Sequence, residues 1–153
     1  MLLFSRLSNK EKFVSQIQDF LGYQLLQVHK AHRARAEAAL NKLGLHTGQE
    51  MLLLQLWQEE GIPQSQLAAS MGVEPPTATK MLQRMEHAGL IERRPDAEDA
   101  RISRVYLTDR GRAVERPVLD AWKQLEAQTV KGLSLTEQAL LHRLLMQVLT
   151  NLS

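Results

Sequence analysis

Thr77, Thr79, Lys80, Gln83 and Arg84 lie within one short stretch and carry the chemistry that most constrains this chain. Lys80 and Arg84 stand at i and i+4, the spacing that places two side chains on one side of a helix. Cations so paired suit phosphate oxygens. Threonine hydroxyls suit phosphates or a base edge at close range, and a glutamine amide matches the edge of adenine. A second set of cations follows: Arg93, Arg94, Arg101 and Arg104. Arg101 closes the polar run Pro95-Asp96-Ala97-Glu98-Asp99-Ala100-Arg101, which has the composition of a turn. Simpler roles exist for each: helix-start hydrogen bonding for the threonines, a solvated charged face for the cations.

Other chemistries are poorly served. The 153 residues include no cysteine, which excludes disulfides, thiolate zinc sites, cysteine nucleophiles and thiol redox switches. There is no glycine-rich phosphate loop, nucleophile elbow or HExxH, and no enzyme is expected. The acid pairs Glu59-Glu60 and Glu98-Asp99 fall on a helix end and a turn, where water screens them. Five histidines are present, and His29 and His32 share chelating spacing. No third ligand suggests itself, so neither a metal nor a cofactor is expected. No apolar run reaches the ~18–20 residues of a transmembrane helix, and the start lacks the form of a signal peptide. A cytoplasmic protein with no membrane role is expected.

The elements that must position these residues are mostly helical, as low Gly, Pro and aromatic content suggests. Apolar spacing predicts a helix over 13–43, ending at Gly44. It would be ~46 Å long, more than one small domain needs. Thr47-Gly48-Gln49-Glu50 has capping-box spacing with Thr47 as cap and opens a short apolar helix. Ile62-Pro63 reads as an extended link, and Gln64–Met71 as a second short helix. Pro76 restricts Pro75, which predicts a helix starting at Pro76 and running to Ala88. Its face of Ala78, Leu82 and Met85 turns inward, leaving Thr77, Lys80, Gln83, Arg84 and His87 largely outward. Residues 90–94 and 103–107 read as an antiparallel hairpin. Thr108 caps the next helix, which Pro117 should kink near Ala113, whose carbonyl loses its partner. Ser134-Leu135-Thr136-Glu137 is a second capping box before a final helix rich in leucine. Its oily face is too large for a peripheral helix on a monomer.

Helix, turn, helix and hairpin in this order make a winged helix-turn-helix, attached to a helical dimerisation region. Its second helix fits a major groove, and the hairpin reaches the flanking minor groove. The segments Leu67-Ala68, Gly72-Val73, Pro76–Glu86 and Gly89-Leu90-Ile91-Glu92-Arg93, the wing residues Asp96, Asp99 and Arg101, and Leu107-Thr108-Asp109-Arg110-Gly111 together resemble the MarR family over residues 13–153. The resemblance implies a homodimer that binds palindromic double-stranded DNA and represses transcription until a small molecule, such as a phenolic or aromatic acid, releases it. It also implies DNA contacts from Thr77, Thr79, Lys80, Arg84, Arg93, Arg94 and Arg101, with Asp99 bracing the wing-tip arginine; Gln83 joins them through its own amide chemistry. An effector pocket would draw on His29, His32, Arg33, Met51 and Trp57. The chain is then one MarR-like domain, 1–153, with a DNA-binding lobe over 48–112 and a dimerisation lobe formed by 10–46 and 113–153. Departures are Glu74, where the family often has Ser, and Pro75, where Arg is common. Pro63 replaces a frequent Thr cap, and Pro117 is an unusual break. The alternative function is a protein-binding winged helix, whose outer face would need apolar anchors.

Charge sharpens this expectation. The net is only +2, and residues 74–112 hold 8 basic against 7 acidic side chains. Binding should therefore rest on a few placed cations rather than a broadly basic surface.

Overall fold

The computed structural model describes residues 16–153. The elements are α1 (Leu21–Asn41), α2 (Gln49–Gln58), β1 (Ile62–Pro63), α3 (Gln64–Ser70), α4 (Pro75–His87), β2 (Ile91–Pro95), β3 (Ser103–Leu107), α5 (Asp109–Ala113), α6 (Glu115–Thr129) and α7 (Leu135–Leu152). The strands form one antiparallel sheet in the order β1-β3-β2. Ile62 lies opposite Val105, and Arg93 also faces Val105 from the other side. The core joins Leu52, Leu53 and Leu56 of α2, Leu82 and Met85 of α4, Ile91 and Val105 of the sheet, and Val118 of α6.

The first helix is shorter than its apolar spacing predicts. Phe20 is extended (φ −73°, ψ 139°), separating the helical residues 16–18 from α1, which runs about 31 Å. Gly22 sits in its first turn, where backbone entropy opposes helix. The carbonyl of Gln18 is satisfied instead by the Gln24 side-chain amide at 3.0 Å. Residues 10–15 of the expected helical lobe lie outside the described residues. At the other end Gly44 acts as expected: with φ +73° it lets Leu45 N–H reach the Leu40 carbonyl at 3.0 Å, as in a Schellman closure.

The capping box expected at Thr47 does not form. Gly48 is the cap, at φ +97°, and the Thr47 hydroxyl is buried without a hydrogen-bond partner. Side chains of the first turn reach back instead: Glu50 accepts from Gly48 N–H at 2.6 Å and Gln49 from His46 N–H at 2.8 Å. Both are buried, so they replace solvent for these donors. Ile62-Pro63 is more than a link, being the third strand. It is short because the Pro63 nitrogen has no hydrogen to give.

Helix α4 starts at Pro75, one residue earlier than Pro76 predicts. Glu74 is the cap, and the prolines occupy the first two positions. Neither position has an intrahelical N–H bond to lose, so this arrangement costs little despite the usual restriction on a residue before proline. The break at Pro117 falls where expected, with Val114 separating α5 from α6. Thr108 and Ser134 both cap as expected. Thr108 Oγ1 accepts from Gly111 N–H at 3.1 Å, and the Ser134–Glu137 box is complete.

Candidate nucleic-acid interface

Inward residues determine what α4 shows outward. Ala78, Leu82 and Met85 are buried at helical spacing, so Thr77, Lys80, Gln83, Arg84 and His87 are exposed on the opposite side. Lys80 and Arg84 line a cleft of about 180 Å³ with Thr77, Met81, His46, Thr47 and Gln49. Thr79 is only half-exposed and points back toward α3. Its hydroxyl donates to the Pro75 carbonyl at 2.9 Å and accepts from Gln64 Nε2 at 3.1 Å.

The wing neutralises most of its own charge. Arg93 pairs with Glu86 at 2.6 Å, Arg94 with Glu92, Arg101 with Asp99 at 3.1 Å and Arg104 with Asp96. Arg94 also lies over the Tyr106 ring, 4.8 Å from its centre. Asp96 organises the tip, accepting from the N–H groups of Glu98 and Asp99 at 2.8 and 2.9 Å. The Arg104 hydrogen bond, then these backbone donors, hold the Asp96 carboxyl down at about 2. The Arg93 hydrogen bond lowers Glu86, and Arg112 lowers Glu60 in the same way. At the wing base Arg112 pairs with Glu60 at 2.8 Å and with Asp109 at 3.2 Å.

Among the described residues, Lys80 and Arg84 have no carboxylate partner. Arg101 is braced by Asp99 through both its backbone N–H and its Nε, yet its side chain is 91% exposed. These three cations can meet an external anion without first breaking a buried contact. Arg101 lines a groove of about 550 Å³ with Gln64, Ala68, Glu74, Pro75 and Ile102, separate from the smaller cleft that Lys80 and Arg84 line.

Known proteins resemble this chain in sequence and in geometry. Residues 45–103 match the MarR family model. An HTH-type transcriptional repressor of Mycobacterium tuberculosis is 30% identical over 125 residues, covering 82% of this chain and 90% of the repressor. This chain belongs to the MarR family. That family comprises transcriptional regulators rather than enzymes. Two solved structures carry the likeness into three dimensions. A probable transcriptional regulator from Pseudomonas aeruginosa superposes with a TM-score of 0.75 at 30% identity, over 86% of this chain and 98% of that one. A mutant MarR from E. coli complexed with operator DNA gives 0.75 at 27% identity, over 84% and 93%.

Within the MarR frame, the residues expected at DNA divide in two. Thr77, Lys80, Gln83, Arg84 and Arg101 face outward, and Arg94 is exposed beside its partner Glu92. Thr79 and Arg93 are instead engaged inside the lobe. Glu86 engages Arg93, and Gln64 engages both; nothing local in the sequence marks Gln64 as a neighbour of residues fifteen and twenty-nine positions away.

The five effector-pocket candidates do not share one cavity. His32 lines a cleft of about 500 Å³ between α1 and α6 with Val28, Arg35, Leu125, Gln128 and Lys131. Its ring lies 6.0 Å from that of Trp122. His29, Arg33 and Met51 are exposed, and Trp57 packs on the core with its indole N–H donating to the Gly111 carbonyl at 3.0 Å. Among the described residues no three His, Asp or Glu side chains are grouped to hold a metal. None of the described helices is long and apolar enough to cross a membrane.

Proposed function

We propose that the chain acts in the cytoplasm as a homodimeric repressor that binds palindromic double-stranded operator DNA. Each subunit places α4 in a major groove, with half-sites ~10 bp apart. Thr77, Lys80, Gln83 and Arg84 meet bases and phosphates there, while Arg101, braced by Asp99, enters the flanking minor groove and Arg94 lies along the backbone. The observation that carries this is the Lys80–Arg84 row on the exposed side of α4, which has no carboxylate partner among the described residues. Among the described residues no large apolar side chain of α4 is exposed, which disfavours a protein partner in place of DNA.

The whole chain is one MarR-like domain, with residues 48–112 as the DNA-binding lobe and 10–46 with 113–153 as the dimerisation lobe. The exposed leucines of α7 support that division, since a monomer gains nothing from leaving them in water. A small aromatic or phenolic acid is the proposed effector, supported by the His32 cleft between α1 and α6. It would act by favouring a dimer whose recognition helices no longer match the half-site spacing.

Selection of bound fragments from a genomic DNA pool, followed by fluorescence anisotropy on the selected site, tests the central claim. Nanomolar, sequence-selective binding is expected, weakened when a phenolic acid is added. A folded dimer showing no sequence selectivity at low salt overturns it.

A further inference from the structure

We infer that Arg93 positions the wing rather than contacting DNA, because Glu86 and Gln64 clamp its guanidinium between α3, α4 and β2. The inference rests on the DNA-binding role proposed above. Arg93 Nε and Nη2 both converge on Glu86 Oε2, at 3.1 and 2.6 Å, and Nη1 reaches Gln64 Oε1 at 3.5 Å. Gln64 then donates to Thr79 Oγ1 at 3.1 Å, and Thr79 donates to the Pro75 carbonyl at 2.9 Å. One polar chain therefore runs from the first turn of α4, through the start of α3, to the middle of β2 and the last turn of α4.

Its place along the hairpin gives it leverage. Burial along β2 falls from Ile91 through half-buried Glu92 and Arg93 to exposed Arg94 and Pro95. Arg93 is thus the last attachment of β2 to α4 before the tip. On β3 the matching tie is Arg104 Nη1 donating to the Gly61 carbonyl at 2.7 Å. The two ties hold opposite strands and fix the tilt of the hairpin relative to α4. The Arg93 side chain is 26% exposed, against 91% for Arg101. Turning it toward a phosphate would strand Glu86 beside the DNA without its cation.

Two variants separate positioning from contact. Glu86→Gln removes a negative charge from the DNA-facing lobe. If Glu86 were merely an anion near phosphates, its loss would tighten binding. As the anchor of the clamp, its loss should weaken specific binding about tenfold and erase hydroxyl-radical protection of the flanking minor groove, while protection at the α4 half-sites persists. Tighter binding overturns the inference. Arg93→Ala should weaken binding with the slope of log K against log salt unchanged. A slope smaller by ~0.9 would reveal a phosphate contact and overturn it. A measurement on the wild-type protein alone holds even if a variant misfolds. The Arg93 Nε–H should give a resolved, exchange-protected NMR signal without DNA, and an averaged signal like that of Arg101 overturns the clamp. Should the wild-type chain bind no DNA, the DNA-binding proposal fails. If it binds and Glu86→Gln binds more tightly, the clamp alone fails.

Discussion

Gly111 shows how a single residue can fix the join between wing and helix. A Cβ placed there would sit 2.0 Å from the Leu90 carbonyl oxygen, a backbone atom that cannot swing away. Gly111→Ala should therefore cost about 3 kcal/mol, the scale of overpacking, read as a lower urea midpoint at unchanged m-value. Asp96 sets a different dependence. Its carboxyl lies at about 2 in the fold, below its ordinary 3.8, chiefly through Arg104 and then the Glu98 and Asp99 N–H groups. A depressed acid stabilises the fold fully above its unfolded value, and the contribution disappears as pH falls through the folded one. The wing should thus loosen between about pH 4 and pH 2. The Glu98 and Asp99 amide resonances report this, and Asp96→Asn should remove the step.

At the scale of elements, α4 and the hairpin use their cations differently. Each of the four wing arginines already has a carboxylate partner, whereas Lys80 and Arg84 have none among the described residues. Arg84→Ala and Arg101→Ala should each lower the magnitude of the salt slope by ~0.9 and weaken binding. Arg94→Ala, which loses an internal partner and its stacking on Tyr106, should change the slope less. Equal slope changes for all three in anisotropy titrations would show that the internal pairs open on DNA. This pairing explains why a segment with 8 bases and 7 acids can still present a cationic row. Its acids are spent largely on the wing, not on α4.

At the scale of the whole molecule, α7 is the unfinished part of the single chain. None of its residues is buried, and Leu140, Leu141, Leu144, Leu145 and Leu149 are each 40% exposed or more. Such a face behaves as half of a core, and a second copy of the chain would complete it. Leu141→Glu with Leu145→Glu should convert a dimer into a folded monomer in sedimentation and reduce DNA affinity by at least tenfold, because the two half-sites would no longer be bound together. A folded wild-type monomer at micromolar concentration would contradict the dimer.

Much of this architecture was legible in the residues because its causes are local. Glycine and threonine caps, the Pro117 break, the α4 apolar spacing and the hairpin composition each depend on neighbours within a turn or two. The failures also have local causes. Thr47 has the right spacing for a capping box, but the helix starts one residue later with Gly48 as its cap, and Gln49 and Glu50 accept from the N–H groups of His46 and Gly48 instead. Pro75 was expected outside a helix whose first positions lack N–H bonds in any case. What the tertiary structure alone decided is partner choice. That Arg93 turns inward to Glu86 and Gln64 while Arg101 stays in solvent, and that Ile62 completes a sheet with Val105, depends on how α3, α4 and the hairpin pack. Sequence sets which side chains can hydrogen-bond. Packing brings distant ones within reach, and so determines which of them keep that capacity for a partner outside the fold.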